Sequence, residues 1–178
     1  MNTIGSMGFR GGAQRNLTRL QIFIDLRLRD SSVIKTTRAE SPMAKLAGKI
    51  IDGGTGKQVQ ARVQVLSAGG VSLSPEDAMF KIGPGDPFFY SDGEFSLEVG
   101  RGRVQITVER GTEFTPWRQT IESDKSGVIT LDVTLDRWAD LPDRGWHPGN
   151  THIHYDEKET DPDRRLGYDS RVEDLRMT

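Results

Sequence analysis

Phe95-Ser96-Leu97-Glu98-Val99-Gly100-Arg101-Gly102-Arg103-Val104-Gln105-Ile106-Thr107-Val108 decides the fold class of this chain. Apolar residues at 95, 97 and 99 alternate with Ser96 and Glu98, and Val104, Ile106 and Val108 repeat the pattern after a Gly-Arg-Gly turn. Successive strand residues point to opposite faces, so each run is a strand with one buried and one solvated side. Toward the N-terminus, Phe88–Tyr90 leads into Ser91-Asp92-Gly93, a hairpin-type signal. Val59–Leu66 alternates, with Ala61, Val63 and Val65 on one face and Arg62 and Gln64 on the other. Leu46–Ile51 is a first strand, closed by the turn cluster Asp52-Gly53-Gly54-Thr55-Gly56. Toward the C-terminus, Trp117–Ile121 is a strand, and Ile129, Leu131, Val133 and Leu135 alternate with polar residues after the turn at 124–127.

About seven short strands with turn chemistry between them predict an all-β fold, an antiparallel β-sandwich over residues 45–136. Residues 1–44 read as a disordered leader, and residues 137–178 as a linker and an irregular tail. Helical character in that tail is weak and is placed at 170–177. The longest gap between strands, 67–87, is expected to be a surface excursion, where a sandwich would carry a binding function.

Composition removes several function classes. The chain has 178 residues and no cysteine, which excludes disulfides, thiolate metal sites and cysteine nucleophiles. A net charge of −2 gives no field that would attract nucleic acid or an anionic membrane, so neither is expected as a partner. The charge is uneven, with seven Arg/Lys against three Asp/Glu in residues 1–42 and five against eight in residues 151–178. No apolar run reaches the length of a membrane span, so no membrane insertion is expected. Leu20-Gln21-Ile22-Phe23-Ile24-Asp25-Leu26 is too short and interrupted for a signal-peptide core. Met43 directly precedes the first domain residues and is an alternative start, which would leave an extracytoplasmic location open.

All three histidines lie in Gly145-Trp146-His147-Pro148-Gly149-Asn150-Thr151-His152-Ile153-His154. On a strand, His152 and His154 share a face and can share a metal ion, with Asp156 and Asp161 near enough in sequence to offer oxygens. Pro148 and Gly149 turn the chain away from His147, whose expected role is packing or hydrogen bonding beside Trp146. A catalytic zinc site takes three protein ligands and an open position, more than this pair supplies. No Ser-His-Asp set, phosphate loop or paired acid and base is visible, so no catalytic residue is expected.

The stretch from Arg137-Trp138 through Gly145-Trp146 to Asn150-Thr151-His152-Ile153-His154 resembles the opening of a PHP-type (polymerase and histidinol phosphatase) metallohydrolase of the carbaryl-hydrolase-like branch. Residues 46–136 are similar to the carboxypeptidase regulatory-like or transthyretin-like sandwich that precedes such domains, most of all at 89–95 and 108–114. Val172-Glu173-Asp174-Leu175 resembles the element before the second barrel strand. The resemblance implies that His152 and His154 match the first two ligands of a divalent metal, Zn or Mn, in an enzyme that hydrolyses by a metal-activated water. Asn150 stands where that family shows Asp.

A (β/α) barrel takes about 200 residues, and 24 follow His154. The resemblance therefore implies an accessory sandwich with the truncated start of a hydrolase. Such a chain would be inactive alone, with weak or absent metal binding; assembly with a separately encoded catalytic remainder is a third option, for which the sequence offers no support. The alternative is a free-standing β-sandwich binding or interaction module, working through loop 67–87 and Phe88, Phe89 and Tyr90, aromatics otherwise expected in the core. The tail separates the two. A fragment would leave 145–178 mobile, whereas a module is favoured by a tail packed on the sandwich.

Overall fold

The computed structural model describes residues 43–81, 85–124, 126–152 and 161–178. The expectation for residues 1–42 lies outside them. Eight strands are described: β1 (Ala44–Asp52), β2 (Ala61–Leu66), β3 (Ser72–Leu73), β4 (Phe89–Ser91), β5 (Glu94–Val99), β6 (Gly102–Glu109), β7 (Trp117–Ser123) and β8 (Gly127–Leu135). A 3₁₀ turn at Pro142–Arg144 and one helix, α1 (Pro162–Val172), follow.

The alternation sorts the strands into two layers. One sheet has the order β5-β1-β8; the other runs β3-β2-β6-β7, with β4 also paired to β2. Their inner faces bury Leu46 and Ile50 of β1, Phe95, Leu97 and Val99 of β5, and Leu131, Val133 and Leu135 of β8 against Ala61, Val63 and Val65 of β2 and Val104, Ile106 and Val108 of β6. Full burial of each large aliphatic or aromatic side chain is worth about 1.5–3 kcal/mol, so this interleaved core carries most of the stability. The all-β sandwich expected from the sequence is the fold observed.

Four local features differ from the sequence reading. Ser91-Asp92-Gly93 is a corner between the sheets, because β4 pairs with β2 whereas β5 pairs with β1. The Ser91 hydroxyl accepts from the Gly93 N–H and donates to the Glu94 carbonyl, and the Gly93 carbonyl accepts from the Ile50 N–H. Gly93 has φ of +102°, and a Cβ there would run into the Gln58 side chain, so the bend is a glycine position.

The second feature is that β1 and β8 are parallel, in register from Ala44↔Gly127 to Asp52↔Leu135, whereas the other strand pairs are antiparallel. Alternation specifies which face is buried, and it is silent about partner and direction. Third, excursion 67–87 folds back on the sandwich: β3 pairs with β2, Tyr90 donates to the Met79 carbonyl, and Lys81 donates to the Phe88 carbonyl.

The fourth is the helix, which begins eight residues before the position expected for it. Pro162 sits in its first turn, where the missing N–H costs nothing, and the Asp161 side chain accepts from the Arg164 N–H as a cap. Among the described residues no helix is long and apolar enough to cross a membrane.

Candidate functional site

The C-terminal segment is tied to the sandwich by three arginines, one each from β2, the β6–β7 loop and the segment just after β8. Arg62 reaches Glu109 at 3.0 Å and Glu173, just past α1, at 2.5 Å. Arg110 contacts the Asp174 carboxylate at 2.6 Å and also donates to the Arg171 and Gln60 carbonyls. Arg137 lies between Glu113 at 2.9 Å and Asp174 at 2.5 Å. The guanidinium carbons of Arg110 and Arg137 lie 5.4 and 4.2 Å from the Phe114 ring centre, which gives both cations an aromatic face. Burial alone would make Arg137 easier to deprotonate, but its bond to Asp174 and the charges of Asp174 and Glu113 hold it above the ordinary arginine value. The Gly111 N–H completes the docking by donating to the Val172 carbonyl.

Within α1, Val172 and Arg165 face inward, and Arg165 donates to the Phe80 carbonyl of the excursion. Tyr168 stacks on Tyr90 of β4 with ring centres 5.7 Å apart and planes 7° from parallel. The Tyr168 hydroxyl faces Asp92 at the sheet corner, and the Tyr90 hydroxyl faces Asp169. Desolvation first, then these carboxylate partners, raise both phenols above their ordinary value, so both stay neutral donors. For Asp92, burial pushes upward. The facing Tyr168 hydroxyl and the bond from Gln60, with Arg171 and Arg164 nearby, outweigh that and hold it below the ordinary carboxylate range.

These contacts enclose a cleft of about 320 Å³. Pro75, Ala78 and Met79 of the excursion form one wall, the corner from Ser91 to Ser96 a second, and Arg164 and Tyr168 of α1 a third. Phe89, Tyr90 and Phe95 supply aromatic edges, and the carboxylates of Asp77, Asp92 and Glu94 line it as well. Asp77 and Glu94 make no ion pair among the described residues. The cleft offers carboxylate acceptors beside aromatic side chains, and α1 supplies one of its walls.

The residues singled out by sequence are distributed differently. Phe88, Phe89 and Tyr90 are buried, at 9%, 2% and 9% exposure, and only the last two reach the cleft. His152 is exposed, and its N–H donates to the Asn150 side chain. His154 and Asp156 lie outside the described residues, and Asp161 serves as the helix cap. Among the described residues no group of three or more His, Asp or Glu side chains is arranged to hold a metal ion. His147 and Trp146 are both exposed. The sequence reading missed Tyr168, Asp92 and the three arginines; the tyrosine and the Glu173-Asp174 pair following a capped helix were the visible signals.

No family model matches this chain, and no curated protein matches it. Solved structures that it resembles include GBS52, the minor pilin of Streptococcus agalactiae, at 12% identity and a TM-score of 0.41 over 56% of this chain and 47% of that one. The Bacillus anthracis TIE protein matches at 11% identity and a TM-score of 0.36, over 53% of this chain and 16% of that one. A DUF3823 family protein from Parabacteroides merdae matches at 20% identity and a TM-score of 0.27, over 55% and 47%. The chain spans less than half the length of each of these proteins.

These findings correct the resemblance to a PHP-type metallohydrolase with a carboxypeptidase regulatory-like sandwich. No family model and no curated protein supports it. The physical reason is that a Trp-rich linker and a His-x-His pair are short motifs. The residues that carried the likeness at 137–138 and 172–175 are engaged with the sandwich instead: Arg137 pairs with Glu113 and Asp174, and Glu173 with Arg62.

Proposed function

We propose that this chain is a β-sandwich interaction module whose working surface is the cleft between the excursion 67–87, the Asp92 corner and α1. The observation that carries this reading is the joint construction of the cleft: three segments distant in sequence converge on one opening, held by the Tyr90–Tyr168 stack and the Arg165 bond to the Phe80 carbonyl. A packed tail is also what the module reading requires and the severed-enzyme reading does not. The lining suits an extended peptide that places a basic side chain against Asp77 and Glu94 and an apolar one on Phe89 and Met79.

Titration of ¹⁵N-labelled full chain with short Lys- and Arg-containing peptides tests this. Amide shifts are expected to cluster at 77–79, 91–96 and 164–168, and to weaken about tenfold in affinity for the Asp77→Asn, Glu94→Gln double variant. Equal response to Glu-containing peptides, or shifts that avoid these three segments, would contradict the assignment.

A further inference from the structure

A second recess lies away from the Asp92 corner, where the turn after β1 meets the segment leaving β8. It measures about 440 Å³ and is lined by Gly53, Gly54, Asp136, Trp138, Asp140 and Arg144, together with Arg137 and Ala139. Trp138 is 69% exposed, yet its indole is fixed: the ring N–H donates to the Thr112 carbonyl at 2.9 Å, and its backbone N–H donates to the Glu113 carbonyl. An exposed tryptophan held at both ring and backbone is a preformed flat platform, which lowers the entropy lost when something stacks on it. Around it stand two exposed carboxylates, Asp136 and Asp140, and Arg144, which makes no ion pair among the described residues.

Gly53 shapes this recess. The Asp136 carboxylate lies directly over the Gly53 Cα, in the space that a Cβ would take. Gly53 is therefore a positioning residue that lets Asp136 rest against the turn.

We infer that this recess binds a pyranose ring of a carbohydrate. The C–H face of such a ring is apolar and flat enough to lie on an indole, while its hydroxyls both donate and accept. Carboxylates take the donated protons and the Arg144 guanidinium supplies donors, so each kind of lining group meets a complementary one. A phosphorylated ligand fits poorly, because Arg137 is already paired with Glu113 and Asp174 and the two carboxylates outnumber the remaining cation, Arg144. A purely apolar ligand would strand three charged groups.

The probes are cellopentaose, maltopentaose and chitopentaose, each titrated into the full chain while tryptophan fluorescence and heat are followed. At least one is expected to bind with a dissociation constant of about 1 mM or tighter. Trp138→Ala should weaken that binding by at least about tenfold, Trp138→Phe should retain most of it, and Gly53→Ala should weaken it through Asp136. Trp146→Ala reports on the other exposed tryptophan and should leave binding unchanged. Lack of response to all three sugars at about 10 mM would overturn the inference. So would undiminished binding by a folded Trp138→Ala variant, which would mark the exposed indole as a protein contact instead.

Discussion

Asp174→Asn is expected to lower the unfolding free energy of the chain by about 3 kcal/mol, read as a shifted urea midpoint at unchanged slope. Asp174 is the single carboxylate shared by Arg110 and Arg137, and its side chain is only 12% exposed, against 12% and 21% for the two arginines. Removing one member of a largely buried ion group leaves the others charged and desolvated, a loss of about 3–5 kcal/mol when burial is complete. Residual exposure of Arg137 places the loss at the lower end of that range. Asparagine is the informative substitution, because Asp174 adopts a left-handed φ of +54° that Asn tolerates, so the backbone is spared and only the charge is removed. Arg118→Gln is the internal comparison: Arg118 approaches Glu109 at 3.5 Å but is 64% exposed. Its loss should cost under about 0.5 kcal/mol. Equal midpoint shifts for the two variants would remove the distinction between clamp and surface pair.

Gly48→Val is expected to cost a similar amount, about 3 kcal/mol, by a different route. Gly48 sits in the central strand of its sheet, directly opposite Phe95, whose ring lies across the glycine and fills the place of a Cβ. On its core side the ring meets Phe89 edge-on, with centres 6.0 Å apart. A branched side chain at 48 must displace it. Combining Gly48→Val with Phe95→Leu should therefore recover part of the loss, a coupling visible as non-additivity in the double-mutant cycle. Strict additivity would show that the two residues do not compete for that space.

The strands and their buried faces were legible because β5, β6 and β8 alternate strictly. The apolar positions of β5 and β6 that define the period are all in the core, as are Leu131, Val133 and Leu135 of β8. Partners were not legible. Ser91-Asp92-Gly93 has the chemistry of a tight turn, and a turn that joins two strands of one sheet has the same residues as one that crosses between sheets. The parallel pairing of β1 with β8 joins segments about 80 residues apart, and no local signal encodes that. The docking of the tail was hidden for the same reason: Arg62 and Glu173 lie 111 positions apart, and a charged residue in sequence carries no address. The histidine pair was conspicuous as a motif, whereas Tyr168 and Asp92, which build the cleft, are ordinary residues until the fold brings them together. The excursion 67–87, expected as a surface loop, supplies Pro75, Ala78 and Met79 to one wall of the cleft.

Everything proposed for the cleft depends on α1 being part of the sandwich, and hydrogen exchange of the intact chain measures that directly. Docking through Val172, Arg165, the tyrosine stack and the arginine clamp predicts that amides 166–172 exchange slowly, with protection within about a hundredfold of β2 and β6. Exchange of those amides at the rate of an unstructured peptide, with the β2 and β6 amides still protected, would show a detached tail and no cleft.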